Sequence, residues 1–66
     1  MTVTVNGEPR EVPAGTTVEQ LVSRLTGAPS GVATAVNGDV LPRRAWASTA
    51  LTDRDEIEVV TAVQGG

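Results

Sequence analysis

Apolar and polar residues alternate near both ends of this chain and recur with a helical period in between. Met1, Val3 and Val5 fall on one side of an extended segment and Thr2 and Thr4 on the other, the period of a half-buried strand. Asn6-Gly7 follows, a pair that tolerates the positive φ angles of a tight hairpin. Arg10-Glu11-Val12 then reads as a short return strand, which Pro9 and Pro13 confine to a sheet edge. From Thr16 the period changes: Val18, Leu21, Val22 and Leu25 stand at i, i+3, i+4 and i+7, which stacks them into one apolar stripe on a helix. Thr17 with Gln20, or Thr16 with Glu19, fits a capping box at its start. Gly27 suits the residue after the helix, and Pro29 prevents the helix from resuming.

Gly31 opens a second extended run, Val32 to Val36, closed by another Asn-Gly pair at Asn37-Gly38. Val40-Leu41 is its return strand, stopped by Pro42. Alternation does not say which face of residues 32–36 is buried, because both faces are small or apolar. Arg43 to Leu51 reads as irregular chain or a short helical turn, with Trp46 packing into the core and Arg43-Arg44 solvated or paired with carboxylates. Asp53-Arg54-Asp55 is a turn, and Glu56 to Val63 the last strand. In that strand Ile57, Val59, Thr61 and Val63 share one face and Glu58, Val60 and Ala62 the other. Glu58 marks its own face as the solvent side, so Val60 and Ala62 point outward. The order of elements predicts an α+β fold, a mixed four- to five-stranded sheet with one helix packed across it. That arrangement is the β-grasp of ubiquitin; a small split barrel would use the same elements in a swapped order. Residues 1–62 form the domain and residues 63–66 a flexible tail.

Composition narrows the chemistry. A chain of 66 residues makes one small domain. It buries only about 60% of its unfolded surface, which leaves little room for an enclosed ligand pocket. There is no cysteine, histidine, tyrosine or phenylalanine, and all five basic residues are arginines. Thiolate sites, Schiff-base chemistry and hydroxyls activated by a neutral base are therefore excluded. Asp53, Asp55 and Glu56 lack the glycine and the later glutamate of a calcium loop. The net charge of −3 disfavours nucleic acid and suits docking on a basic protein surface. No apolar run approaches the roughly 20 residues of a membrane span, and the start lacks the layout of a signal peptide. A cytoplasmic protein that is not itself an enzyme is the expectation.

What chemistry remains lies in Val63-Gln64-Gly65-Gly66. Glycine lacks a Cβ, so Gly65-Gly66 makes a thin thread, and four extended residues reach roughly 13 Å beyond a folded body. A terminal carboxylate at Gly66 is ionised at neutral pH, with a pKa of about 3.3–3.7, and is a poor electrophile until a partner activates it. ATP can do this by forming an acyl-adenylate, after which a nucleophile meets no side chain at the Gly66 carbonyl. Gly66 is thus the expected covalent carrier position. Gly65 supplies slenderness, Gln64 and Val63 are held by a partner's main chain as an added strand, and Ala62 and Val60 belong to a docking face.

The chain also resembles a known family. Val3-Thr4-Val5-Asn6-Gly7, Gly15-Thr16-Thr17-Val18, Ala35-Val36-Asn37-Gly38, Val40-Leu41-Pro42-Arg43 followed by Trp46, Asp53 to Val59 and the final Gly65-Gly66 are similar to the ThiS family, sulfur carriers of thiamine biosynthesis. One departure is Arg54, where the family often has glycine in an Asp-Gly-Asp turn. The resemblance implies a β-grasp fold, adenylation of the C-terminal carboxylate, conversion to a thiocarboxylate, and sulfur delivery to the thiazole ring. It also implies the partners: an E1-like adenylating enzyme of the ThiF type that uses ATP and Mg, a thiazole synthase of the ThiG type, and a sulfur donor system. The chain itself would bind no cofactor or metal. Alternatives are the small subunit of molybdopterin synthase, another Gly-Gly sulfur carrier such as one serving cysteine synthesis, a ubiquitin-like modifier, and a passive interaction domain.

Overall fold

Two Asn-Gly pairs fold this chain back on itself, and each does so in the same way. Asn6 and Gly7 have φ angles of 51° and 84°, and Asn37 and Gly38 of 52° and 87°. Positive φ at both central positions is the signature of the hairpin turn that matches strand twist. The computed structural model describes residues 1–26 and 31–61. They form β1 (Thr2–Val5), β2 (Glu8–Glu11), α1 (Val18–Leu25), β3 (Val32–Val36), β4 (Asp39–Leu41), a 3₁₀ segment (Arg43–Ser48) and β5 (Glu56–Thr61). The expected roles of Gly27 and Pro29 at the helix end, and of residues 62–66, lie outside the described residues.

The five strands make one mixed sheet in the order β2-β1-β5-β3-β4. β1 and β5 run parallel at its centre, with Thr4 opposite Glu56 and Val5 opposite Ile57. The remaining pairs are antiparallel. β2 begins at Glu8, two residues earlier than its sequence suggests, and takes in Pro9. Bonds in both directions between Met1 and Val12, each 2.9 Å, set the alternation of this ladder and turn Pro9 away from β1. Proline is tolerated there because no ladder hydrogen bond needs its missing N–H.

One helix lies across the sheet, which is the β-grasp arrangement. Its capping box uses Thr17: Gln20 N–H donates to Thr17 Oγ1 at 3.2 Å, and Thr17 N–H donates to Gln20 Oε1 at 3.0 Å. Thr16 is instead buried, with its hydroxyl donating to Pro13 O at 2.7 Å. Val18, Leu21 and Val22 of α1 meet Val3, Val5, Val12 and Ile57 from the sheet side, and Trp46 and Leu51 complete the core. The segment before β5 is sewn to the helix start by Val18 N–H to Thr49 O at 2.9 Å and Leu51 N–H to Thr16 O at 2.8 Å.

Pairing with β5 decides the buried face of β3. Val36 stands opposite Ile57 and Thr34 opposite Val59, so Val32, Thr34 and Val36 turn to the helix side while Ala33 and Ala35 turn away. Thr34 is buried, and its hydroxyl has no hydrogen-bond partner among the described residues. Trp46 is buried too and donates its indole N–H to Leu41 O at 3.0 Å. The Arg43 guanidinium lies 5.8 Å from its ring centroid, a cation–π contact, rather than against a carboxylate. Among the described residues no helix is long and apolar enough to cross a membrane.

Candidate functional site

β5 leads toward the Gly-Gly end of the sequence, and both Asn-Gly hairpins hold it. Asn37 N–H donates to Glu56 O at 2.7 Å, and its side-chain oxygen accepts from Glu56 N–H at 3.0 Å. On the other flank Asn6 N–H donates to Ile57 O at 2.9 Å. The Asn6 carboxamide then pairs with Val59 in both directions, accepting from its N–H at 2.9 Å and donating to its C=O at 3.1 Å. The sequence marks these asparagines as turn residues only. Their second task was missed, because it depends on partners 53 and 19 positions away.

The turn into β5 is fixed with equal care. Asp55 accepts from Thr52 N–H and the Thr52 hydroxyl, each at 2.8 Å, and from Asn37 Nδ2 at 3.0 Å. Burial pushes the Asp55 carboxyl up, and the bonds from Thr52 and Asn37 more than offset that, holding it below its ordinary 3.8. Arg54 has a φ of 70°, the left-handed region that glycine prefers. Its N–H donates to Thr2 O at 2.7 Å, and Asp53 Oδ1 accepts from Thr2 N–H at 2.9 Å. The turn thus keeps a glycine-like backbone with arginine in place.

The outer face of the sheet beside β5 sets several apolar residues around the exposed Glu58. Val60 is 62% exposed and stands opposite Ala33. Val40 is 78% exposed and stands opposite Ala35, which also faces Glu58. Cross-strand partners share a face, so Val60, Ala33, Ala35 and Val40 line one side of the sheet, the side without the helix. The sequence had placed Val60 outward; Val40 joins it only through the register of β3 and β4. Gly66, Gly65, Gln64, Val63 and Ala62 lie outside the described residues, so of the expected site residues the structure places Val60 alone.

On the helix side, a cleft of about 260 Å³ opens where β5 passes the end of α1, lined by Val5, Leu25, Val59 and Thr61 with Glu8 and Arg10. A shallower hollow of about 550 Å³ lies along residues 13–16 and the outer side of α1, with no residue of β5 in its lining. Among the described residues no group of three or more carboxylates is placed to hold a metal ion.

The model of the ThiS family matches residues 3–66. The sulfur carrier protein ThiS of Escherichia coli K12 is 32% identical over 66 residues, spanning all of both chains. A thiazole synthase from Magnetococcus marinus is 41% identical over the same 66 residues, and there the chain spans only 20% of the relative's length. The crystal structure of the thiamine biosynthesis protein ThiS from Geobacter metallireducens superposes with a TM-score of 0.82 at 36% identity, covering all of both chains. With a family match over residues 3–66 and a shared fold at 36% identity, the chain belongs to the ThiS family.

Proposed function

We propose that this chain is a sulfur carrier for thiazole formation in thiamine biosynthesis, with the carboxylate of Gly66 as its covalent position. The observation that carries this reading is the anchoring of β5. Its peptide groups are held by Asn37 at its start and by Asn6 at Val59, and Thr61 stands five residues before Gly66. A fixed strand running toward a Gly-Gly end is a mount for presenting a terminus to another protein. The relatives support the chemistry: one is named a sulfur carrier, and another, named thiazole synthase, contains a matching stretch within a much longer chain.

In this reading an adenylating enzyme uses ATP and Mg. The Gly66 carboxylate attacks the α-phosphate and pyrophosphate leaves, which turns a poor electrophile into an acyl-adenylate. A sulfur nucleophile from the donor system then attacks the carbonyl carbon and AMP leaves, giving a thiocarboxylate that thiazole synthase consumes. Gly65 and Gly66 present no Cβ to either enzyme's channel. Ala62, Val63 and Gln64 are the residues that the partner grips, and Val60 with Ala33, Ala35 and Val40 supplies the apolar part of the face, beside Glu58, on which the partner rests. The chain contributes no catalytic side chain and acts as a co-substrate.

Intact mass tests this directly. Incubation with an adenylating enzyme of the ThiF type, ATP, Mg and a sulfur donor should add the difference of one oxygen replaced by sulfur, and deletion of Gly66 should abolish the gain. An unchanged mass beside an enzyme that thiolates another carrier would overturn the proposal. Adding thiazole synthase and its small substrates should return the carrier to its starting mass as thiazole forms.

A further inference from the structure

The chain sets up the same local chemistry twice. Val5-Asn6-Gly7-Glu8 and Val36-Asn37-Gly38-Asp39 each place an asparagine before a glycine, between a valine and a carboxylate. Asparagine is among the thermolabile residues, and a following glycine leaves the next backbone nitrogen unshielded by any Cβ. At the first hairpin that nitrogen is Gly7 N, and its target is Asn6 Cγ. The nitrogen bonds to Cγ and gives up its proton, the Cγ–Nδ2 bond breaks, and ammonia leaves. A cyclic imide remains. One water then opens the ring, at Cγ to give aspartate or at the Asn6 main-chain carbonyl to give isoaspartate. Water enters, ammonia departs, and nothing is oxidised or reduced.

Folding restrains this step at both hairpins. The Asn6 carboxamide is held by Val59, at 2.9 Å through its oxygen and 3.1 Å through its nitrogen. The Asn37 carboxamide is held by Glu56 N–H and the Asp55 carboxylate, each at 3.0 Å. Ring closure turns the side chain back over its own peptide, so both bonds must first be given up. Water has access to either turn: Gly7 and Gly38 are exposed, and a Cβ built on either meets nothing within 4 Å. The two holds differ. Asn37 grips the start of β5, where Glu56 also stands opposite Thr4, and one of its bonds ends on a carboxylate, which makes it the stronger kind. Asn6 grips Val59 past the end of the β1 ladder, which stops at Val5 opposite Ile57, and both its partners are neutral peptide groups. Opening at Val59 therefore disturbs fewer contacts than opening at Glu56.

We propose that Asn6-Gly7 is a spontaneous modification site gated by β5: the carboxamide reacts when it lets go of Val59, and the reaction makes that release permanent. In the isoaspartate product the main chain runs through Cγ. The carbonyl that accepted Val59 N–H becomes part of the peptide bond to Gly7, and the hairpin gains one backbone atom. In the aspartate product an oxygen without a proton replaces the Nδ2 donor facing Val59 O. Both products lose the two-way clamp. The inference concerns Asn6 and Val59 and is independent of what Gly66 carries.

Ageing the full chain in mildly alkaline buffer, folded and in urea, tests it. Trypsin cleavage after Arg10, Arg24 and Arg43 puts the two asparagines in separate peptides for mass spectrometry. In urea the two sites should react within about twofold of each other, because their neighbours match. In the folded chain both should slow by about tenfold or more, and Asn6 should react about threefold or more faster than Asn37. A synthetic chain with an ester in place of the Val59 amide lacks the N–H that Asn6 holds. Its Asn6 rate should rise about fivefold with the Asn37 rate unchanged. Equal or reversed rates in the folded chain would overturn the proposal, as would an ester chain with the parent's Asn6 rate. If the ester chain fails to fold, the parent in urea below its unfolding midpoint decides: Asn6 should speed up before Asn37, and a joint rise overturns the gate. The isoaspartyl chain, isolated by chromatography, should exchange Val59 N–H about tenfold or more faster than the parent. Leu21 N–H, bonded within α1 to Thr17 O, should be unchanged. Parent-like protection at Val59 in that chain would overturn the permanent release.

Discussion

Arg54 shows how a single backbone angle can matter more than a side chain. Its side chain is exposed and its nearest charge is Asp53 at 3.9 Å, a surface pair of little energetic weight. Its φ of 70° is the costly feature, because a Cβ disfavours the left-handed region by about 1–2 kcal/mol. Glycine removes that strain but adds about 0.5–1 kcal/mol of unfolded-chain entropy. Arg54→Gly should therefore stabilise the protein by roughly 0.5–1 kcal/mol, raising the melting temperature by roughly 3–6 °C in a thermal scan. Asp55, its neighbour, carries a pH dependence. Its carboxyl is held below 3.8 in the folded chain, so its contribution is complete above that value and is lost as pH falls through the lower folded pKa. Asp55→Asn should be less stable than the parent at pH 7. The difference should shrink as both are titrated below about pH 4, measured by urea denaturation across pH.

β5 behaves as a strand gripped from both flanks. Asn6→Ala removes two hydrogen bonds to Val59 and places a Cβ-bearing residue without a compensating amide at a φ of 51°. The expected loss is about 2 kcal/mol by chemical denaturation. Amide exchange at Val59 should rise more than at Glu58, whose N–H faces β3. Much of the element level was legible in advance. The stripe Val18, Leu21, Val22 and Leu25, the two Asn-Gly hairpins and the outward Val60 are local patterns, set by neighbours within a turn or two. The inward face of β3 was not, because Val32-Ala33-Thr34-Ala35-Val36 places no charge on either side. Its buried side includes Thr34, a polar residue whose hydroxyl is left unpaired among the described residues, which no rule of alternation would select.

At the scale of docking, the sheet separates two surfaces that meet at β5. Val60, Ala33, Ala35 and Val40 share the helix-free face with Glu58, and Val59 and Thr61 help line the cleft beside α1. Val60→Asp should weaken binding to the adenylating enzyme more than tenfold in a calorimetric titration, as loss of a central apolar contact does. Stability should fall by no more than about 1 kcal/mol, because the side chain is already 62% exposed. A variant that loads sulfur at the parent's affinity would remove Val60 from the docking face. Gly66 and its neighbours were singled out from the sequence by elimination of other chemistry, and the carrier role assigned to them stands as a proposal with its own mass test.

The sequence by itself determined the helix, the hairpin turns and the inventory of reactive groups, because propensity, period and composition are properties of short stretches, while the choice of Thr17 over Thr16 as the cap was left to the structure. Tertiary structure alone decided that β1 and β5 lie side by side, that β3 buries Thr34, and that Asn6 reaches across 53 positions to complete the edge of β5. Those outcomes depend on which backbone groups find one another once the chain closes on its core. A pairing of that kind leaves no mark in the residues on either side of it.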